Sequence, residues 1–194
     1  MKKTILFLFF LLSITSYSQK IWKVNDAVVL FEASVPFFEP VAARNDAVEV
    51  TLNTKRGHIS FDIKMKKFRF ERSLMEEHFN EHYLETKRYP LATFKGMIDK
   101  FDLKVINKTP KTFNIKGVIV IHGKSKPISV TATLNKTTKG IELKSQFSLQ
   151  TDDFNIEIPF LIREKISKTV NVSVKTLFRV LPIEASAIVN ASTY

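Results

Sequence analysis

The stretch SLMEEHFNEHYLETKRYPLATFKG, Ser73 to Gly96, is where the residue pattern of this chain changes kind. Ser73 with Glu76 three residues on spells a capping box, in which each side chain satisfies a free backbone N–H at a helix start. Met75, Phe79 and Tyr83 then recur at helical spacing and form one apolar stripe. Glu76, Glu77, Asn80 and Glu81 face away from it and put negative charge in the first turns. Pro90 bars Tyr89 from helical geometry, and the chain re-enters an extended pattern at Ala92, Thr93 and Phe94. A short helix with one face to bury is expected, set in sequence that otherwise alternates like strands. It must cover or plug a sheet.

On the N-terminal side, Val48, Val50 and Leu52 alternate with Glu49, Thr51 and Asn53, and Ile59, Phe61 and Ile63 alternate with Ser60, Asp62 and Lys64. Each run is a strand with one apolar face, and Lys55-Arg56-Gly57 between them reads as a hairpin turn, so the sheet is antiparallel. On the C-terminal side Ala92, Phe94, Gly96 and Ile98 share a face. The phase slips by one near Lys100 and carries on through Phe101, Leu103 and Val105, which predicts a bulge or bend. Asn107 to Lys111 reads as a loop, and His122 to Pro127 as a turn between Ile119-x-Ile121 and a strand bearing Val130, Ala132 and Leu134. Lys136 to Gly140 is the next turn. Ile141, Leu143, Ser145, Phe147 and Leu149 then alternate without a break, up to a turn at Thr151-Asp152-Asp153. Phe160 to Lys168 reads as a helical turn or an irregular crossing, and Val170, Val172, Val174, Thr176 and Phe178 as the longest strand.

About eight such strands close into a barrel with an apolar interior or stack as a sandwich. One short helix cannot cover an open sheet of this size, and closure removes unpaired edges. The expected fold is all-β, an extended antiparallel barrel of about eight strands with a short central helix.

At 194 residues the chain suits one domain with a substantial core. Lys2-Lys3, the apolar run Ile5 to Leu12 and the small residues of Ser16-Tyr17-Ser18 read as a signal peptide over residues 1–18, cleaved before Gln19. The run is too short to span a bilayer. The expected protein is therefore exported, to the periplasm or beyond, with one domain over residues 19–181 and a loosely held tail over 182–194. The chain has no cysteine, which removes disulfides, thiol chemistry, thiolate metal sites and a lipidated cysteine together.

The formal charge of +11 falls by two when Lys2 and Lys3 leave with the signal. Lys64, Lys66, Lys67, Arg69 and Arg72 form the densest basic group. It reads first as a solvated sheet face, and second as a patch that meets anionic lipid head groups or another polyanion. Export argues against nucleic acid.

His78-Phe79-Asn80-Glu81-His82 spells H-x-x-E-H, the pattern in which two histidines one helical turn apart grip zinc and a glutamate serves as base. A helix rich in Glu and His produces so short a pattern by chance, and no second helix offers a third ligand. His78 and His82 are weak metal candidates, and a zinc hydrolase built on His78, Glu81 and His82 is the least favoured reading. No Gly-rich phosphate loop or nucleophile elbow is present. No catalytic residue and no cofactor is expected.

The chain resembles the YceI-like family of secreted, lipocalin-like proteins. The resemblance is carried by Leu74, His78-Phe79, Tyr83-Leu84, Tyr89-Pro90 and Phe94-Lys95-Gly96 in the opening stretch. It is carried further by the run from Gly117 to Pro127, by Asp153-Phe154-Asn155-Ile156, and by the strand Val170 to Val174, and it extends from about Trp22 to Val180. Asn155 stands where the family pattern has glycine; asparagine is the side chain that best tolerates a left-handed backbone. The resemblance implies a lipocalin-like barrel that carries, without chemistry, a long apolar molecule such as a polyisoprenoid, an isoprenoid quinone or a fatty-acyl derivative. The inward faces supply the candidate contacts: Phe61, Ile63, Phe94, Ile119, Ile121 and Val130 from the first strands. Phe147, Leu149, Phe154, Val172 and Val174 come from the later ones. Alternation leaves open whether these side chains fill the barrel or line a cavity; the resemblance implies a cavity. A structural or adhesive β domain with a basic partner-binding face is the alternative. Oligomeric state stays open, a homodimer included.

Overall fold

A computed structural model describes residues 21–179. The expected signal peptide and C-terminal tail lie outside the described residues. The strands are β1 (Ile21–Ser34), β2 (Ala42–Asn53), β3 (His58–Lys64), the two-residue β4 (Arg69–Phe70), β5 (Leu91–Ile98), β6 (Lys111–Ile121), β7 (Lys124–Thr137), β8 (Gly140–Gln150) and β9 (Ile166–Arg179). Eight of them follow one another around a closed antiparallel ring, β1-β2-β3-β5-β6-β7-β8-β9, and β9 pairs back onto β1. β4 flanks the start of β2, through Ala43 with Phe70 and Arg44 with Arg69. The helix α1 (Ser73–His78) runs on into a π-helical turn, Phe79–Tyr83. The all-β barrel with one short helix is the expected fold.

The eight strands are not the eight expected. The sequence pattern missed β1, because its alternation changes phase: Trp22 and Val24 are followed by buried Ala27, Val29 and Ala33. β2 changes phase at the same level, from Ala43 and Asn45 to Val48, Val50 and Leu52. The β1–β2 ladder shifts register there, between Val24 and Ala27 and again before Val29. Bulges in facing strands hide a period of two. The bulge buries Asn45, whose Nδ2 donates to the Lys64 carbonyl at 3.1 Å and whose Oδ1 accepts from the Ala47 N–H at 3.0 Å. No polar atom of that amide is wasted in the core.

Conversely, Phe101, Leu103 and Val105 do not continue β5. Lys100 turns the chain with φ +49°, and Leu103–Val105 is a 3-10 turn whose Lys104 N–H is capped by Asp102 Oδ1 at 2.9 Å. The crossing lies over one end of the barrel, tied down by the Lys136 N–H to the Asn107 carbonyl at 2.7 Å and by buried Ile106. The turn expected over His122 to Pro127 is only two residues long. His122 and Gly123 both have positive φ, +50° and +72°, which suits a tight hairpin, and Lys124 to Pro127 already pair with β6. The β2–β3 hairpin at Lys55-Arg56-Gly57 stands as expected. Asn155 is left-handed at φ +53°.

The capping box does not form. Ser73 lies inside α1, and Glu76 turns away to accept from Arg69 Nη1 at 2.8 Å and the Phe70 N–H at 3.3 Å. A charged donor on β4 outcompetes a backbone N–H at the helix start.

Candidate functional site

The barrel interior divides into a filled half and a hollow half. In the filled half Trp22, Leu52, Ile98, Phe113, Leu134 and Phe178 belong to the packed core and none of them lines a cavity wall, with the Trp22 and Phe178 ring centroids 6.2 Å apart. Leu52, Leu134 and Phe178 have no exposed surface. In the other half, nearer α1, lies a cavity of about 490 Å³, inside the range of about 300–1,000 Å³ typical of small-molecule sites. Its lining is overwhelmingly apolar and comes from every strand of the ring except β2, from α1 and from the 151–165 crossing. The floor between the halves is set by a glycine pair. Gly96 on β5 faces Gly117 on β6, and a Cβ on either would come within 2.7 Å of the Phe94 ring. The missing side chains leave the space into which that ring folds.

All eleven interior candidates, Phe61, Ile63, Phe94, Ile119, Ile121, Val130, Phe147, Leu149, Phe154, Val172 and Val174, stand on the cavity wall. The sequence reading missed a cluster of aromatic rings under the helix. Phe31 stacks on Phe79 with centroids 5.5 Å apart and meets Phe68 and Phe70 edge-on at 5.2 and 5.7 Å. Phe79 in turn contacts Phe68 at 5.8 Å and Phe70 at 5.1 Å. Phe31 was concealed by the bulge in β1, and Phe68 and Phe70 by the lysines and arginine around them. The alternation Phe68-x-Phe70, just ahead of a helix with Phe79 on its stripe, was the available signal.

The helix is held over the mouth by local bonds. Asn80 Nδ2 donates to the Glu76 carbonyl at 2.7 Å, and Thr86 Oγ1 donates to Asn80 Oδ1 at 2.9 Å. On the far side His122 Nδ1 lies 3.1 Å from the Phe154 carbonyl and Nε2 lies 2.9 Å from Glu85 Oε2, with the Tyr89 ring edge-on at 4.5 Å. Burial pushes the Tyr83 phenol, on the cavity wall, above its usual pKa, so it stays neutral. Polar wall atoms are few. Ser145 Oγ is satisfied by the Thr131 carbonyl at 2.6 Å, whereas the buried Thr151 hydroxyl makes no hydrogen bond within the protein.

His78 also borders the cavity, and its ring centroid lies 5.6 Å from that of His82. Among the described residues no three His, Cys, Asp or Glu side chains gather closely enough to hold a metal ion. The dense basic group is largely paired: Lys64 with Glu49 at 3.0 Å, Arg69 with Glu76 at 2.8 Å, and Arg72 with Glu39.

The YceI-like domain model matches residues 22–178, most of the chain. No curated protein matches in sequence. Among solved structures, a polyisoprenoid-binding domain from Saccharophagus degradans, described as implicated in plant cell wall breakdown, superposes with a TM-score of 0.68. That match has 16% identity and covers 80% of this chain and 97% of the other. Burkholderia cenocepacia BcnA superposes with a TM-score of 0.62 at 15% identity, covering 76% of this chain and 94% of its own. A Campylobacter jejuni YceI protein gives 0.51 at 17% identity, over 68% and 80% of the two chains. At such identities the superpositions establish the fold. The family match establishes more: the chain belongs to the YceI-like domain family.

Proposed function

We propose that this YceI-like barrel is an exported, non-enzymatic carrier that holds a long apolar chain molecule, of isoprenoid or fatty-acyl type, in the hollow half of its interior. The observation that carries the reading is the cavity of about 490 Å³ with its nearly continuous apolar lining. Each CH₂ moved from water into such a lining contributes about 0.8 kcal/mol before ordering costs, so a chain of many such groups binds well without any strong polar contact. Membership of a family of binding domains supports a carrier over a catalyst, and the Saccharophagus relative described as polyisoprenoid-binding favours an isoprenoid. The unpartnered Thr151 hydroxyl on the wall suits a ligand that ends in a hydroxyl or carbonyl oxygen. The basic-face alternative is weakened by the pairing of Lys64, Arg69 and Arg72 with carboxylates.

The test is native mass spectrometry of the mature protein taken from its own envelope fraction, followed by organic extraction. A stoichiometric lipid or quinone supports the carrier and names its cargo. A mass that stays that of the bare chain, even after incubation with isoprenoid and fatty-acyl mixtures, overturns it.

A further inference from the structure

The mouth of the cavity is ringed by apolar side chains that point away from the protein. Phe37 is fully exposed, and Leu161, Phe160 and Leu74 are 88%, 73% and 60% exposed. They belong to three segments that the fold gathers at one end. Ser34, at the end of β1, pairs with Ile166 at the start of β9, so the 35–41 turn lies beside the 159–165 crossing. Glu39 of that turn is ion-paired with Arg72 at the start of α1, which brings Leu74 alongside. The rim is continuous with the cavity, since Phe38, Leu74 and Ile162 also line it.

Phe37 is the informative residue. The Phe38 N–H donates to the Val35 carbonyl at 3.2 Å, with Pro36 second and Phe37 third in the turn, and Phe37 sits at φ +69°. The third position of such a turn calls for glycine or asparagine, and a bulky side chain there is held against a steric cost. Backbone strain with no packing in return points to a role outside the fold. Bases accompany the rim. The Arg163 guanidinium lies 4.3 Å from the centre of the Phe160 ring, and Lys165 stands at the mouth. An aromatic body with a cation beside it suits the boundary between acyl chains and anionic head groups.

We propose that this rim docks the protein onto an anionic bilayer surface, with Phe37, Phe160 and Leu161 inserted at the acyl boundary. The open mouth then faces the membrane, and an apolar chain passes between bilayer and cavity without crossing water. This rests on the carrier reading and adds its partner.

The experiment measures co-flotation of the mature protein with vesicles of equal parts phosphatidylcholine and phosphatidylglycerol, for the wild type, Phe37→Gly and the double variant Phe160→Ser/Leu161→Ser. Uptake of dansyl-undecanoic acid without vesicles runs alongside. Phe37→Gly suits the positive φ, so the fold is kept while the ring is removed. Expected are flotation of the wild type and a loss of about tenfold in partitioning for Phe37→Gly, the worth of one buried aromatic, with probe uptake unchanged. A wild type that does not float, or a Phe37→Gly variant that floats equally, overturns the docking. So does a wild type that instead self-associates through this rim. If the vesicle results are as expected but no variant takes up the probe, the docking stands and the carrier reading falls.

Discussion

His122 and Glu85, 37 residues apart in the chain, meet with Nε2 2.9 Å from Oε2, and this contact ties the β6–β7 hairpin tip to the segment that follows the helix. The other ring nitrogen faces the Phe154 carbonyl. The ring thus bridges a backbone carbonyl and a carboxylate from two separate segments. Replacing His122 with Phe keeps the ring but leaves a carbonyl and a carboxylate unpaired in a half-buried site. The expected cost is about 1–3 kcal/mol in urea unfolding, with Glu85→Gln costing less because an amide oxygen still accepts.

The division into filled and hollow halves sets apart two leucines that alternation treats alike. Leu134 has no exposed surface in the filled half, and Leu134→Ala is expected to cost about 2–5 kcal/mol. Leu149 faces the cavity and has fewer partner atoms to lose, so Leu149→Ala should cost about 1 kcal/mol. Paired urea titrations decide the matter, and equal losses would mean that the cavity is not open in solution.

Ile121 lies on the wall close to the hairpin tip, and a tryptophan there occupies space the ligand needs. Ile121→Trp is expected to lower uptake of an apolar probe by at least about tenfold while unfolding stability stays within about 1–3 kcal/mol of the wild type. Fluorescence titration beside urea unfolding separates blocked binding from a broken fold.

The floor makes a further prediction. A methyl group at Gly117 would meet the Lys95 carbonyl at 2.4 Å and the Phe94 ring at 2.7 Å. Gly117→Ala should destabilise by about 1–3 kcal/mol. Phe94→Leu in the same chain relieves the ring contact and should recover part of the loss.

Glu142 sets a pH dependence whose sign is fixed. Hydrogen bonding from Lys144, at 2.6 Å, holds its carboxyl below the usual range against the opposing effect of burial, with Lys175 at 3.1 Å adding to it. A carboxylate whose folded pKa is lowered stabilises the fold above its ordinary pKa of about 4.3, and that stability is lost as pH falls through the lowered value. Glu142→Gln should lower the urea midpoint at pH 7, by less than about 1 kcal/mol, and leave a flatter acid limb. An unchanged acid limb would show that the lysine pairs do not persist in solution.

Much of the wall was legible because alternation is a local property. Phe61, Phe94, Phe147 and Val172 each announce an inward face within a few residues of sequence, and all line the cavity. What alternation could not carry across was a bulge. In β1 and β2 the phase changes at Ala27 and Val48, so a 14-residue strand went unread, and Phe31 with it. The opposite error arose at Phe101 to Val105, where a spacing of two persists through a capped turn because side-chain polarity alone does not say where backbone hydrogen bonds go.

By itself, then, the sequence determined the antiparallel class, a short helix between Ser73 and Pro90, the absence of thiol chemistry and the inward set of side chains, all of which follow from period and composition. The tertiary structure decided which part of that inward set is packed and which is open. Leu134 and Leu149 have the same chemistry and the same alternation, yet one is fully buried in the packed core with Phe178 and Leu52 while the other lines a cavity. That difference depends on the crossing that covers one end, the helix that stands at the other, and the glycine pair that lets Phe94 form a floor between them. Each is a contact between residues far apart in the chain, where local pattern carries no information.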